Sequence, residues 1–249
     1  MGAKGDVEMT SVDGGGATTG VAEGEEDGAP AVDATIDEDV DLAQKMYDHE
    51  RARDDESREA VLAIVRKREM ATTMEELCER FGWTRDEGAV KRMREANERR
   101  LREIDAKIED AKENLGDVEV RDAMYERARF YASVGECEKA CEAYEETEEK
   151  TASVGQKMDG AFAMMRVRFS RLELQEVKKL IAKIKELLDQ PGGGDWERKN
   201  RLKVYEGLYS AATRDFETAT KLFLDSLSTF TSYELLSYDD FVFYTVICA

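Results

Sequence analysis

Proline is scarce in this 249-residue chain, which contains only Pro30 and Pro191. Since proline breaks the interior of a helix, the long interval between them is free to be helical. That interval is rich in Glu, Lys, Arg, Ala, Leu and Met, which lose little side-chain freedom in a helix. Charged residues make up 37% of the chain, which is typical of amphipathic helices that each turn one face to water. The predicted fold class is all-α.

Cysteine and long apolar runs are also scarce. Four cysteines in a chain of this length do not make a disulfide framework, which favours a reducing intracellular compartment. The first twenty residues are rich in Gly, Thr and Asp and do not resemble a secretory signal. No stretch of about 18 uncharged apolar residues occurs, so we predict no membrane-spanning segment.

The residues that most often carry chemistry do not converge in this sequence. The single histidine, His49, lies in a polar stretch without a nucleophile nearby, so we expect it to be solvent-exposed. Cys137 and Cys141 share a helix face but lack a second His/Cys pair, and we interpret them as buried structural thiols. The glycines at 192–194 lack the strand and the Lys-Ser/Thr ending of a phosphate loop. We therefore predict no catalytic residue, no cofactor and no metal.

Basic residues are outnumbered throughout, and most strongly at the start. Residues 1–41 contain twelve acidic residues and one lysine and so carry −11 of the net charge of −19. This sign disfavours nucleic acid and anionic membrane surfaces as partners. Because residues 1–38 are also poor in large apolar side chains, we predict that they form a disordered acidic tail.

Residues 39–116 form the second predicted region, which is helical. A capping box at Thr72 and Glu75 predicts a short helix that Gly82 ends. A long charged helix is predicted from about Glu87 to Leu115, with Gly116 as its stop. We interpret its near-heptad seam as packing within the chain, with a dimeric coiled coil as the alternative. The seam consists of Val90, Met93, Asn97, Leu101, Ile104, Ile108, Ala111 and Leu115.

Residues 117–249 form the third predicted region and repeat a pattern. Two units each place a small residue, a turn, an alanine and then an aromatic residue in that order, an arrangement typical of tetratricopeptide hairpins. Ala140 and Ala219 are 79 residues apart, or two periods, so a degenerate unit is predicted between them. The expected packing residues are Ala128, Tyr131, Gly135, Ala140 and Tyr144 in one unit, and Gly207, Phe216, Ala219 and Phe223 in the other.

A fourth, incomplete unit begins at Tyr238, and the sequence stops at Ala249 inside an apolar helix. Because solenoid ends usually carry a polar cap, this pattern predicts a truncated chain. One local basic patch stands out in the third unit. It is either a solvated helix face or a contact for an acidic partner surface, and it consists of Arg198, Lys199, Arg201 and Lys203.

Three segments resemble a known family. The sequences at 115–124, 194–208 and 223–235 are similar to non-ATPase subunit seven of the proteasome regulatory particle lid, and weaker similarity covers 40–249. The resemblance implies a right-handed helical solenoid followed by a winged-helix module of the PCI class, which this sequence does not reach. It also implies a non-catalytic scaffold role in ubiquitin-dependent degradation and a hetero-oligomer with other lid subunits, in the cytoplasm and nucleus. The ATPase ring is a further candidate partner, and the resemblance favours contact by the basic patch.

Two other functions remain open at this stage. A paralogous subunit of the signalosome complex shares the same helical-repeat domain, although the string at 194–205 favours the proteasome version. A free-standing tetratricopeptide adaptor would instead bind short peptides in a groove. Such an adaptor should repeat Asn, Lys and Arg at equivalent positions in each unit, and these units differ too much for that.

Overall fold

A computed structural model describes residues 36–249, which form eleven α-helices and no strand within that range. The all-α prediction is confirmed. The predicted tail lies outside the described residues up to position 35. The helices are α1 (Glu38–Ala52), α2 (Asp55–Lys67), α3 (Ala71–Phe81), α4 (Glu87–Asn114), α5 (Asp117–Ser133), α6 (Cys137–Glu149), α7 (Val154–Ser170), α8 (Leu174–Leu188), α9 (Trp196–Ala212), α10 (Phe216–Ser226) and α11 (Tyr238–Cys248).

Three helical hairpins follow one another along the chain. Helix α5 packs on α6, α7 on α8, and α9 on α10, while α6 contacts α7 and α8 contacts α9. One continuous apolar core runs through all three hairpins from Ala128 to Phe241. This stacking of hairpins confirms the predicted solenoid, including the degenerate middle unit, which α7 and α8 form.

The three hairpins turn in the same way. Each turn contains one residue with a left-handed backbone: Gly135 (φ 79°), Leu172 (φ 57°) or Arg214 (φ 65°). The next N–H group then donates to a carbonyl five residues earlier, which closes the end of the first helix as in a Schellman turn. A fourth turn of this kind, with Glu69 at φ 54°, joins α2 to α3.

The structure places the expected repeat-packing residues as follows. Ala128, Ala140, Tyr144, Gly207, Ala219 and Phe223 are buried, and Tyr131 is half-buried. Gly207 is a point of close helix contact, because a Cβ atom there would lie 2.5 Å from Cε1 of Phe223. Gly135 faces outward from its hairpin, and a Cβ atom there would lie 2.4 Å from Oγ1 of Thr73 on α3.

Phe216 does not pack as the repeat pattern predicted. Its side chain is 49% exposed. Phe216 is the first residue of α10, directly after the N-cap Asp215, whose carboxylate accepts from the N–H of Thr218. At this position the side chain projects from the start of the helix instead of into the contact with α9.

The helices before the repeats form a second core. Val61, Val65 and Leu77 are buried there together with Val90 and Met93 from the start of α4. Farther along α4, Ile104 and Ile108 pack with Met124 of α5. Most of the long seam of α4 is therefore covered by helices of the same chain, while Leu115 at its end is 58% exposed. Asn97, in the middle of the seam, donates from Nδ2 to the Glu69 carbonyl at 2.8 Å.

Two predicted helix caps were wrong for local reasons, although α4 ends at Asn114, within one residue of its predicted end. Thr72 is not an N-cap, because α3 already begins at Ala71, and its hydroxyl donates to Glu136 at 2.6 Å. Gly116 does not end α4 as a left-handed residue. It is the N-cap of α5, and its N–H donates to the Glu119 carboxylate at 3.1 Å. The stop at Gly82 is confirmed, with φ 68°.

His49 is not solvent-exposed. Its side chain is buried, and its ring centroid lies 4.8 Å from that of Phe81 and 5.0 Å from that of Trp83. The Nδ1 atom is 2.8 Å from the hydroxyl of Ser57. The polar residues beside His49 in the sequence gave no sign of this environment, because the two aromatic rings belong to Phe81, the last residue of α3, and to Trp83 just after it.

Residues 36–249 lie in one compact unit, and the predicted division between residues 116 and 117 stays a prediction. The predicted tail boundary at residue 38 stays a prediction as well; Asp37 is the N-cap of α1, which begins at Glu38. Over the described range, none of the helices is both long and apolar enough to cross a membrane.

Candidate interaction surface

The four residues of the basic patch lie on α9, but they differ in their surroundings. Two guanidinium nitrogens of Arg198 donate to the carboxylate of Asp159 on α7, Nε at 3.0 Å and Nη2 at 2.7 Å. It also pairs with Asp195 at the start of α9. This bidentate pair holds the first turn of α9 against α7 and leaves Arg198 largely engaged within the chain.

Arg201 is also engaged within the chain. Its Nε donates to Glu234 at 2.7 Å, and its guanidinium lies 4.5 Å from the centre of the Phe162 ring. Lys199 is exposed, and Lys203 is 3.8 Å from Asp225. The structure therefore divides the patch into two arginines held within the chain, an exposed lysine, Lys199, and a half-buried lysine, Lys203, that pairs with Asp225.

Sequence reasoning missed a polar network beneath this patch. Arg166 of α7 donates from Nε to Asp37 at 2.7 Å and from Nη1 to the Tyr205 hydroxyl at 3.2 Å. The Tyr205 hydroxyl donates in turn to Glu234 at 3.0 Å. One signal was available, because Arg166 interrupts a run in α7 whose neighbours from Met158 to Val167 are almost all apolar and buried.

The electrostatics of the network follow from its burial. Burial raises the pKa of Tyr205 to about 12, so the phenol keeps its proton and can donate to Glu234. Burial alone would lower the pKa of Arg166. The nearby Tyr205 and Asp37 outweigh burial and raise that pKa, which keeps the guanidinium charged.

A second set of contacts joins α1 and α2 to the first hairpin. Arg68, at the end of α2, donates from Nη2 to Asp39 at 2.5 Å and from Nε to the Ser133 carbonyl at 2.8 Å. The Arg68 side chain is only 7% exposed. Burial raises the pKa of Asp39, and Arg68 opposes that shift. A carbonyl at the end of α5 is thus satisfied by an arginine that also holds α1.

Cys137 and Cys141, which are both free thiols, lie on hairpin packing faces. Cys141 is buried, and burial raises the pKa of its thiol to about 11. Cys137 is half-buried, burial raises its pKa as well, and its sulfur is 3.8 Å from Nη1 of Arg171. Both shifts reduce the fraction of reactive thiolate at neutral pH.

Comparison with known proteins agrees with this architecture. The family model described as 26S proteasome subunit RPN7 matches residues 86–249. The chain is 49% identical over 187 residues to the 26S proteasome non-ATPase regulatory subunit 6 of Oryza sativa subsp. japonica, covering 75% of this chain and 48% of the relative. It is 40% identical over 215 residues to the protein of that name from Caenorhabditis elegans, covering 84% of this chain and 52% of the relative.

The alignment with a more distant relative covers a similar share of both chains. The 26S proteasome regulatory subunit RPN7 of Saccharomyces cerevisiae is 30% identical over 210 residues, which cover 76% of this chain and 48% of the relative. The chain spans about half the length of the curated relatives that it matches. The family match includes the whole of α4 and all three hairpins, so the chain belongs to the 26S proteasome subunit RPN7 family.

Proposed function

We propose that this protein is a non-catalytic scaffold subunit of the lid of the proteasome regulatory particle, where it supports ubiquitin-dependent protein degradation. One observation carries the proposal: the family match over residues 86–249 contains all three stacked hairpins. A stack of helical hairpins offers extended surfaces for neighbouring proteins, and such surfaces suit a scaffold.

The absence of catalysis is part of the proposal. The relatives are named non-ATPase regulatory subunits. In this chain, burial raises the pKa values of Cys137 and Cys141, and His49 is buried against the stacked rings of Phe81 and Trp83. These groups fit structural roles, because a nucleophile needs an accessible, activated side chain.

The partners are other lid subunits, with the ATPase ring as a further candidate, in a hetero-oligomer of the cytoplasm and nucleus. Within the basic patch we assign the contact with an acidic partner surface to Lys199, which is exposed, and to Lys203, which is half-buried beside Asp225. Arg198 and Arg201 support that surface from beneath through their pairs with Asp159 and Glu234. Charged groups at an interface act mainly on association rate and partner choice.

Affinity purification of the tagged protein under native conditions tests the proposal. Mass spectrometry should recover lid and ATPase subunits together with the tagged protein. Recovery of signalosome subunits in their place would contradict the proteasome assignment. Recovery of the protein with short peptide ligands alone would instead favour the adaptor.

A charge-reversal pair tests the contact surface separately. The variant Lys199→Glu/Lys203→Glu should recover less of the other subunits than the unchanged protein, because it opposes an acidic partner. Lys178→Glu/Lys179→Glu, on the exposed face of α8, makes the same charge change as a control. Equal recovery in both variants would reject the patch as a contact and leave the family assignment intact.

A further inference from the structure

The first helix of the middle hairpin, α7, is covered on more sides than a hairpin stack requires. It packs on its partner α8 and on α6 of the preceding hairpin, and α1 lies against it as well. Buried residues accordingly occur all around α7, from Met158 to Val167. The start of the described chain therefore occupies a face of the repeats that the hairpins themselves leave open.

Residues 36–41, which we call the N-terminal strap, make this contact; they comprise two residues before α1 and the first turn of that helix. The Asp37 carboxylate accepts from Arg166, and the Asp37 N–H donates to the Glu234 carbonyl at 2.8 Å. Asp39 pairs with Arg68, and Val40 packs against the core of the repeats. The strap is thus recognised through its backbone, two carboxylates and one apolar side chain.

The receiving site is largely complete without the strap. Glu234 is held by Arg201 at 2.7 Å and by the Tyr205 hydroxyl at 3.0 Å. Arg201 rests on the Phe162 ring. None of these contacts involves the strap, while the carboxylate that bonds Arg166 comes from it. Detachment of the strap would leave a preformed cationic site in which Arg166 lacks its Asp37 carboxylate.

The part of α1 that follows the strap buries few side chains. Leu42 and His49 are the buried residues of α1, and Tyr47 is 52% exposed. A cleft of about 520 Å³ runs beside the strap, between α1 and α3 on one side and the hairpin turns near Gly135 and Leu172 on the other. Few buried apolar contacts and an adjoining cleft are features of segments that open locally at low cost.

We propose that the N-terminal strap is an internal ligand of a carboxylate-binding site centred on Arg166, and that an acidic segment of a partner protein, which starts a helix as the strap does, takes its place. The partner's chemistry follows from the site: a carboxylate for Arg166, a backbone N–H for the Glu234 carbonyl and a second carboxylate for Arg68. The strap shields the site in the free protein, because a tethered ligand acts at about millimolar effective concentration. This inference does not depend on the proposed proteasome role.

A fluorescein-labelled peptide with the sequence of residues 34–46 tests competition at this site by fluorescence anisotropy. The full chain carrying Asp37→Asn/Asp39→Asn weakens its own strap but keeps a residue able to cap α1 at position 37. We expect this variant to bind the peptide at least about tenfold more tightly than the unchanged protein, because the internal competitor is weakened. Equal affinities for the two proteins would overturn the proposal.

Two controls separate the site from general charge attraction. The variant Asp48→Asn/Glu50→Gln removes the same charge from exposed positions of α1 outside the strap and should bind the peptide as weakly as the unchanged protein. Adding Arg166→Met to the weakened-strap variant should abolish binding. Retained binding without Arg166 would contradict the proposed site.

Hydrogen–deuterium exchange on the unchanged protein decides the question if the variants fail to fold. An excess of the unlabelled peptide should raise deuterium uptake in α1, because displacement of the strap releases that helix. A peptide with Asn in place of its Asp37 and Asp39 should raise uptake less. Uptake in α1 that neither peptide alters would count against displacement.

Discussion

Gly207 and Gly160 both lie inside helices of the repeats, yet a methyl group has different space at each. A Cβ atom at Gly207 would lie 2.5 Å from Phe223, whereas nothing lies within 4 Å at Gly160. We expect Gly207→Ala to lower the free energy of unfolding by about 1–3 kcal/mol through overpacking. Gly160→Ala should raise it by about 0.5–1 kcal/mol, because alanine loses less backbone entropy in a helix. Urea denaturation followed by circular dichroism measures the free energy of unfolding of both variants. A change of the same sign in the two variants would show that the close helix contact is not at Gly207.

Leu172 occupies an unfavourable backbone conformation. Its φ is 57° and its side chain is 75% exposed, so the left-handed geometry is not offset by burial. Leu172→Gly should therefore raise the melting temperature, because a left-handed residue other than glycine costs about 1–2 kcal/mol. Lys178→Gly, on the exposed face of α8, should lower it by the ordinary cost of glycine in a helix. Destabilisation in both variants would show that the turn does not need this conformation.

At the residue scale, the sequence predicts small residues at helix crossings better than it predicts exposure. Ala128, Ala140 and Gly207 could be found because close helix contact demands small side chains in a recurring position. The exposure of Phe216 and the burial of His49 could not, since each depends on which distant element lies opposite. The aromatic side chain of Phe216 wrongly suggested burial, and the polar sequence around His49 wrongly suggested exposure.

The element that most needs its distant partner is α1, which Asp37 ties to α7. The side chains of Asp37 and Arg166 are 24% and 18% exposed. Asp37→Asn should lower the free energy of unfolding by about 3 kcal/mol, because it leaves a largely buried arginine without its counter-charge. Asp41→Asn, whose ion pair with Lys45 is more exposed, should change it by about 0.5 kcal/mol or less. Equal effects in chemical denaturation would show that Arg166 does not depend on Asp37.

The ion pair between α6 and α7 predicts a response to acid. A hydrogen bond from Arg168 lowers the pKa of Glu138 in the folded protein. A carboxyl group with a lowered folded pKa stabilises the protein above its unfolded pKa, and this contribution is lost as the pH falls through the folded value. The melting temperature should therefore fall as the pH drops below about 4.5, near the ordinary pKa of glutamate.

Substitution isolates the contribution of this pair. Glu138→Gln should lower the melting temperature at pH 7 and make the loss of stability in acid shallower. Glu142→Gln, on the exposed face of α6, removes the same charge and should change the acid response less. An acid response unaltered by Glu138→Gln would assign it to other carboxylates.

At the element scale, periodicity predicted most helices, but not how their faces are shared. The α4 seam was recognised from its spacing, yet its division between two cores depends on where α1–α3 and α5 lie. Turns with a recognisable glycine or aspartate were easier to place than the turn at Leu172. The lone Arg166 in an apolar helix was a usable signal of a buried partner, although the sequence could not identify Asp37 as that partner.

At the scale of the whole molecule, the hairpin repeat and the three segments that resemble the family could be recognised from the sequence. The contacts that join the early helices to the repeats could not, because they connect residues far apart in the chain. Asp37 and Arg166 are 129 residues apart, Arg68 and Ser133 are 65 apart, and Thr72 and Glu136 are 64 apart. Hydrophobic periodicity indicates that a face is buried but does not specify which distant element buries it.

Membership of a large assembly is the central claim, and sedimentation tests it most directly. An extract containing the tagged protein is separated on a glycerol gradient, and each fraction is assayed for the tag and for ATP-dependent proteasomal peptidase activity. We expect the tag to migrate with that activity, and washing at high salt to release it together with lid subunits. Migration near the position of a free 28.2 kDa chain, with none of the tag in the peptidase fractions, would contradict the account.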